Sequence, residues 1–247
     1  MNKPSLTRQL NNSTSFTTFF SISFLFSLLL SGPTSIQASE AIGYYSSGSL
    51  SNAVSIDEYR DSKTLVKLFR NRGQLYGVQE LAEALDSLSH YMRSLFPTIE
   101  VLQIGDMAAK SGGKIPRHKS HQNGLDADIV YYRVNEKAQS PTKTEWGEYF
   151  VVSKKLVSNF HARRNWEAFK YLVNHFEVNR ILVDGAVKRR MCSLAKSLGE
   201  STSHREVLRR LRIENTVHRT HYHLRLKCPQ GSPNCRAQSE PPNGSGC

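Results

Sequence analysis

The chain has 247 residues, 33 basic side chains against 21 acidic ones, and a formal net charge of +12. Its hydrophobic fraction of 38% is ordinary for a packed domain, which excludes wholesale disorder. The length fits one domain with appendages, and the basic balance suits an anionic partner.

The N-terminus has the order of a secretory signal: Lys3 and Arg8, an apolar uncharged run over residues 16–30, the breaker pair Gly32-Pro33, then Ile36-Gln37-Ala38 as a cleavage site. The run is too short and too interrupted for a transmembrane span. Residues 1–38 are therefore expected to be a signal peptide and 39–247 an exported domain with no stable membrane span after processing. Export puts the four cysteines in an oxidising compartment, where an even number implies disulfides. Three pairings are possible. Cys228 and Cys235 flank a loop with Pro229, Gly231 and Pro233 that can close on itself, which leaves Cys192 with Cys247.

Residues 39–57, rich in Ser, Gly and Tyr, read as an extended lead-in. Residues 65–76 carry Leu65, Leu68 and Phe69 among basic side chains, up to Arg70-Asn71-Arg72-Gly73. Over 78–95 the spacing of Val78, Leu81, Leu85, Leu88 and Met92 predicts a helix, stopped by Phe96-Pro97. Strands are predicted at 99–104, 129–134, 180–183 and 220–227, and a polar surface loop at 135–144. Residues 157–176 predict a second helix, whose Trp166 and Phe169 belong to a core face more readily than to a substrate groove. Residues 188–211 predict a basic helix in two pieces, broken near Gly199; its arginines Arg205, Arg209, Arg210 and Arg212 read as a solvated face. The tail from Pro229 is loop. Uneven alternation of strands and helices, with no Gly-rich nucleotide motif and no repeat, predicts an α+β fold: a small antiparallel sheet with flanking helices.

Two segments carry chemistry. RHKSHQNGLDADIVYY, residues 117–132, holds His121 and Asp128 around Gly124, with Asp126 on the same strand face as Asp128. About ninety residues later comes His218-Arg219-Thr220-His221-Tyr222-His223. In THYHLRLK, Tyr222, Leu224 and Leu226 alternate with His221, His223 and Arg225, so the imidazoles share a polar face above an apolar one. Two imidazoles and a carboxylate from these segments would hold a metal ion and leave a fourth position open, the mark of catalytic zinc rather than structural zinc.

SHQNGLDADI and HRTHYHLRLKCP, with IGDMAAKSGGK, RILVDGAVKRRMC and IGYYSSGSLSNA, resemble the penicillin-insensitive murein endopeptidases, zinc peptidases related to lysostaphin-type enzymes, D-Ala-D-Ala peptidases and the hedgehog domain. The resemblance spans residues 41–247. It implies Zn2+ held by His121, Asp128 and His223, His221 and His218 as catalytic groups, and His118 near the site with Asp126. The cysteine pairs Cys228–Cys235 and Cys192–Cys247 are similar to the family's. Some members carry a third bridge, whose lead-in cysteine is replaced here by Ser47-Gly48-Ser49. The implied activity is periplasmic hydrolysis of the D-alanyl-diaminopimelate cross-links of peptidoglycan, without a serine nucleophile and so indifferent to β-lactams; a homodimer stays open. The alternatives are a D-Ala-D-Ala carboxypeptidase or dipeptidase, and a non-catalytic zinc-stabilised binding domain. Nucleic-acid binding has only the net charge in its favour and lacks an aromatic-basic motif.

Overall fold

A computed structural model describes residues 37–59, 63–215 and 217–247. The expected leader, residues 1–38, lies almost wholly outside them. Among the described residues no helix is long and apolar enough to cross a membrane.

The lead-in forms a hairpin, β1 (Glu40–Tyr44) and β2 (Ser47–Ser51), followed by β3 (Val54–Ser55). Next come β4 (Leu65–Lys67), a 3-10 turn at Arg70–Arg72, and β5 (Tyr76–Gly77), which pairs with β3. The first long helix, α1 (Gln79–Leu95), buries the 3.6-residue stripe Leu81, Leu85, Leu88 and Met92. Strands β6 (Leu102–Ile104) and β7 (Asp126–Val130) bracket the long loop that contains His118 and His121. A short hairpin, β8 (Val151–Val152) and β9 (Lys155–Leu156), precedes α2 (Ala162–His175). The chain continues through β10 (Val178–Val183), α3 (Gly185–Ser197), α4 (Arg205–Arg210), β11 (Leu211–Ile213) and β12 (His221–Leu226).

Six strands make the main sheet, in the order β11-β10-β12-β7-β6-β4. Its centre is antiparallel, as expected, and carries the site. Its two edge pairs, β10 with β11 and β4 with β6, are parallel, a feature absent from the sequence reading because parallel partners come from distant segments. One face is apolar. Tyr222 and Leu224 of β12, Ala127 and Ile129 of β7 and Ile181 of β10 are all fully buried. Helix α2 lies against this face through the Phe169 ring, perpendicular to that of Tyr222 at 5.1 Å. Trp166 and Phe169 are both core residues, as their spacing indicated, and α1 packs on α2 through stacked Tyr91 and Tyr171 rings at 4.1 Å.

The predicted β7 strand begins three residues too late, and the second helix begins five residues too early. Residues 157–160 instead finish the hairpin region, where Val157 N–H donates to the Phe150 carbonyl and Phe160 bridges Arg133. Both expected disulfides are present, Cys228–Cys235 and Cys192–Cys247, and no described cysteine is free. The first holds the turn that abuts β1, where Gly43 N–H donates to the Asn234 carbonyl; the second ties the tail to α3.

Candidate metal centre

Strand pairing assembles the polar face of the sheet. Antiparallel register sets His223 opposite Asp128, Arg225 opposite Asp126 and His221 opposite Val130. Directly opposed residues on one face are the closest cross-strand neighbours, so a histidine–aspartate pair and an arginine–aspartate pair lie side by side. His121 reaches the same point from the loop before β7. Its backbone is left-handed, φ 65°, and so is that of Gly124, φ 78°. At Gly124 a side chain would meet Leu50 Cδ1 at 2.8 Å and Val78 N at 3.1 Å, so only glycine fits this turn. At His121 the conformation carries strain for a residue with a Cβ. It is held by the His121 N–H donating to Asp126 Oδ2 at 2.9 Å.

The donor atoms converge. His121 Nε2 and His223 Nδ1 are 3.2 Å apart. Asp128 Oδ1 lies 3.4 Å from the first and 3.2 Å from the second. Donors about 2.0–2.1 Å from a tetrahedral zinc stand roughly 3.3–3.4 Å from one another, so this triangle has the dimensions of three corners around one ion. A third imidazole nitrogen, His221 Nε2, stands 3.5 Å from the same oxygen. Despite this crowding, both Asp128 oxygens are buried without a well-directed hydrogen bond. A buried carboxylate left this way is costly unless a cation compensates it, and His121 Nε2 and His223 Nδ1 stand at ligand-like distances around the same point.

Asp126 organises the triangle from behind. It is fully buried and accepts from Arg225 Nε at 2.7 Å, Arg225 Nη2 at 3.0 Å and the His121 backbone. Its Oδ1 is 3.0 Å from His223 Nε2. A carboxylate on one ring nitrogen fixes the proton there and frees the other for a metal, so His223 turns Nδ1 inward. Burial alone would raise the Asp126 pKa, but Arg225 and His223 outweigh it and hold the carboxyl well below its usual range. His223 shows the converse: burial lowers its pKa, yet Asp126 and Asp128 carry it up to about 9.

His221 and His218 face the same cleft differently. His221 Nδ1 meets Thr220 Oγ1 at 2.8 Å, and His218 Nδ1 meets the Glu214 carbonyl at 3.3 Å. Burial pushes the pKa of each imidazole down, the other histidines add to it and Asp128 opposes it, so both rings are neutral. His118 and Asp126 thus have different positions. Asp126 stands behind the ligands, whereas His118 stands beside them, with Nε2 3.0 Å from Asp106 Oδ2 and Nδ1 3.9 Å from Asp128 Oδ2. His118, His121 and Asp128 form a second group with donor atoms within 4.8 Å. We favour the tighter triangle with His223, because His118 is already engaged by Asp106 and its ion-pair distance to Asp128, 3.9 Å, is longer than those of His121 and His223.

Three neighbours were missed in the sequence. Trp146 stacks on His221, ring centroids 4.3 Å apart and 14° from parallel. It rests on Gly105, where a Cβ would come within 2.3 Å of the indole. Arg72 donates to Asp106 Oδ2 at 2.7 Å and lies over the Phe69 ring at 4.0 Å. Trp146, the more informative of the three, was visible only as an isolated tryptophan after a polar loop. A cleft of about 410 Å³ opens above all these groups, with Arg117, Lys119 and Val217 at its margin.

Comparison with known proteins gives the family. Curated relatives named penicillin-insensitive murein endopeptidase align with 85% of this chain and 74% of their own length. The one from Klebsiella pneumoniae subsp. pneumoniae is 28% identical and that from Salmonella arizonae 29%. The relative of that name from Haemophilus influenzae is 28% identical over 83% of this chain and 70% of its own. The family described as penicillin-insensitive murein endopeptidase matches residues 41–247, all of the metal-site segments included, and the chain belongs to that family.

Proposed function

We propose that the chain is an exported, Zn2+-dependent endopeptidase that hydrolyses D-alanyl-diaminopimelate cross-links between murein stem peptides in the periplasm. The observation that carries this is the triangle of His121 Nε2, His223 Nδ1 and Asp128 Oδ1, with sides of 3.2, 3.2 and 3.4 Å, around a buried carboxylate that lacks a hydrogen-bond partner. Two imidazoles and one carboxylate suit zinc, and three protein ligands suit a catalytic ion. When bound, Zn2+ supplies Lewis-acid polarisation of the scissile carbonyl and acidifies the attacking water.

The chain's own residues handle the proton. With Nδ1 occupied by Thr220, His221 presents Nε2 to the cleft and takes the proton of the attacking water. His221 or His218 then returns a proton to the leaving amine as the C–N bond breaks. Stacked Trp146 holds the His221 ring plane and shields it from bulk water. Two disulfides support an oxidising compartment, and the leader motif points to the same place.

The test is incubation of the purified protein with cross-linked muropeptide dimers, with and without a chelator, followed by metal analysis of single variants. Dimers should fall to monomers, and chelation should stop this. His121→Ala, Asp128→Ala and His223→Ala should lose metal and activity together. His221→Ala and His218→Ala should keep about one zinc per chain and lose ~10²–10⁴-fold in turnover. Release of terminal D-Ala with dimers intact, or full activity in chelator, would overturn the proposal.

A further inference from the structure

We infer that a second cavity, behind the metal cleft, is a subsite for a free carboxylate of the murein peptide. The inference rests on the murein reading above. The cavity measures about 540 Å³ and is lined by Lys154, Arg189 and Arg219, with Asp184 as its single acidic lining residue. Asp184 is committed elsewhere: its Oδ1 accepts from Ala186 N–H at 2.8 Å as the cap of α3. Among the described residues no carboxylate pairs with any of the three cations, although Arg209 and Arg210 nearby are matched by Glu206 and Glu240. Two arginines of the basic run read from the sequence as a solvated face, Arg209 and Arg210, are therefore neutralised, whereas the three cations of this concavity are not.

The cavity shares a wall with the metal cleft. Glu214, Val217 and His218 line the cleft, while their chain neighbours Asn215 and Arg219 line the cavity. Adjacent Cα atoms are about 3.8 Å apart, so His218 and Arg219 work on opposite sides of one strand of backbone. One short segment thus carries both sites, with His218 on the cleft and Arg219 on the cavity.

All three cations are exposed side chains, and the backbone that carries Lys154 and Arg219 is held in place. The Arg219 carbonyl accepts from Phe150 and Val151 N–H at 2.8 and 3.2 Å, which ties it to the β8–β9 hairpin, and its guanidinium stands 5.3 Å from the Tyr149 ring. Arg189 Nη2 donates to the Lys154 carbonyl at 3.3 Å. Lys154 occupies the hairpin turn, where it and Ser153 are both left-handed, φ 61° and 48°, without a glycine. Such turns ordinarily take Asn-Gly. Exposed Tyr149, Val152 and Val217 flank the two cavities, and their apolar surface matches the methylene chain of diaminopimelate. Convergent arginines beside an apolar rim recognise a carboxylate on an aliphatic stem.

The test compares zinc-loaded wild type with Lys154→Ala, Arg189→Ala, Arg219→Ala and the triple variant. Arg190→Ala, a neighbouring cation outside the cavity lining, controls for net charge. Substrates are a cross-linked muropeptide dimer with free carboxylates and the same dimer amidated either at diaminopimelate or at terminal D-Ala. Arg219→Ala should raise KM roughly tenfold, the loss of one charge-assisted contact, with kcat within about twofold and zinc content unchanged. One of the two amidations should raise the wild-type KM similarly and erase the difference between wild type and variants, which identifies the carboxylate. Equal KM values throughout, a KM shift that survives both amidations, or an equal shift in Arg190→Ala would each overturn the subsite. If wild type cleaves neither dimer, the murein reading falls by itself. Calorimetric Kd values for the carboxylated tetrapeptide monomer, equal in wild type and triple variant, would then overturn the subsite separately.

Discussion

Replacing Asp126 by asparagine tests the architecture behind the metal triangle. The two side chains are nearly isosteric, so the fold should survive while the charge is lost. Four donor contacts reach this carboxylate: two from Arg225, one from the His121 backbone and one from His223. An amide cannot accept them all, and its NH2 must face at least one donor. Arg225 is left buried without its counter-ion, and unpairing a buried charge costs ~3–5 kcal/mol. His223 loses the acceptor that fixes Nε2–H, and losses of that kind weaken metal affinity ~10–100-fold. Urea unfolding and competition with a fluorescent chelator measure the two effects. The pH dependence carries its own sign. Asp126 has a pKa held well below its usual range in the fold, because Arg225 and His223 outweigh burial. Its contribution is therefore complete above an unfolded carboxyl pKa of about 3.9 and disappears as pH falls through the folded value. The stability gap between wild type and Asp126→Asn should be greatest between about pH 5 and 6.5, close in acid, and narrow towards about pH 9 as His223, whose raised pKa Asp126 supports, loses its proton. A variant with the wild-type urea midpoint and unchanged zinc affinity would refute the reasoning.

Gly105→Ala should push the Trp146 indole off His221, since the added Cβ would meet it at 2.3 Å; turnover should fall while zinc content holds, and a normal rate would show that the stacking is idle. Gly124→Ala combines a positive φ of 78° with contacts on Leu50 and should lower the unfolding free energy by ~1–3 kcal/mol in urea titration. Removing both cysteines of the Cys192–Cys247 bridge, which spans a separation of 55 residues, should cost on the order of 4 kcal/mol or less by the loop-entropy argument, read by thermal unfolding against wild type. Lys188 is buried with Nζ donating to the Leu208 and Leu211 carbonyls, and burial lowers its pKa to about 8. Because the folded value lies below the unfolded one, charging it opposes folding; stability relative to Lys188→Met should rise between about pH 8 and 10.5, measured by urea midpoints.

The apolar half of the fold was legible because periodicity reports burial directly. Leu81, Leu85, Leu88 and Met92 marked α1, and the alternation of Tyr222, Leu224 and Leu226 with His221, His223 and Arg225 marked both faces of β12. The start of β7 was missed for the reason that makes it functional. Asp126 and Asp128 occupy buried strand positions where an apolar pattern is expected, so the strand seemed to begin at Ile129. The ligand segments could be read, but their supports could not. Asp106 meets His118 across 12 residues, Arg72 meets Asp106 across 34, and Trp146 meets His221 across 75, and no local pattern in the chain records such contacts. The carboxylate cavity was hidden likewise. Lys154, Arg189 and Arg219 come from a hairpin, a helix and a loop, and each alone reads as a surface cation.

The register of β7 against β12 links the fold to its chemistry. The pair His223–Asp128 and the pair Arg225–Asp126 are two residues apart on both strands, and so occupy one face. A slip of β12 by one residue would turn His223 and Arg225 into the apolar layer against Phe169, away from Asp128 and Asp126, and send Tyr222 and Leu224 to the cleft. The apolar set thus fixes the register, and the register places the ligands. The Arg225–Asp126 pair strengthens this choice, since either charge would be buried alone in any other alignment. Hydrophobic burial on one side of the sheet therefore offsets the cost of gathering His121, His221, His223, Asp126 and Asp128 on the other.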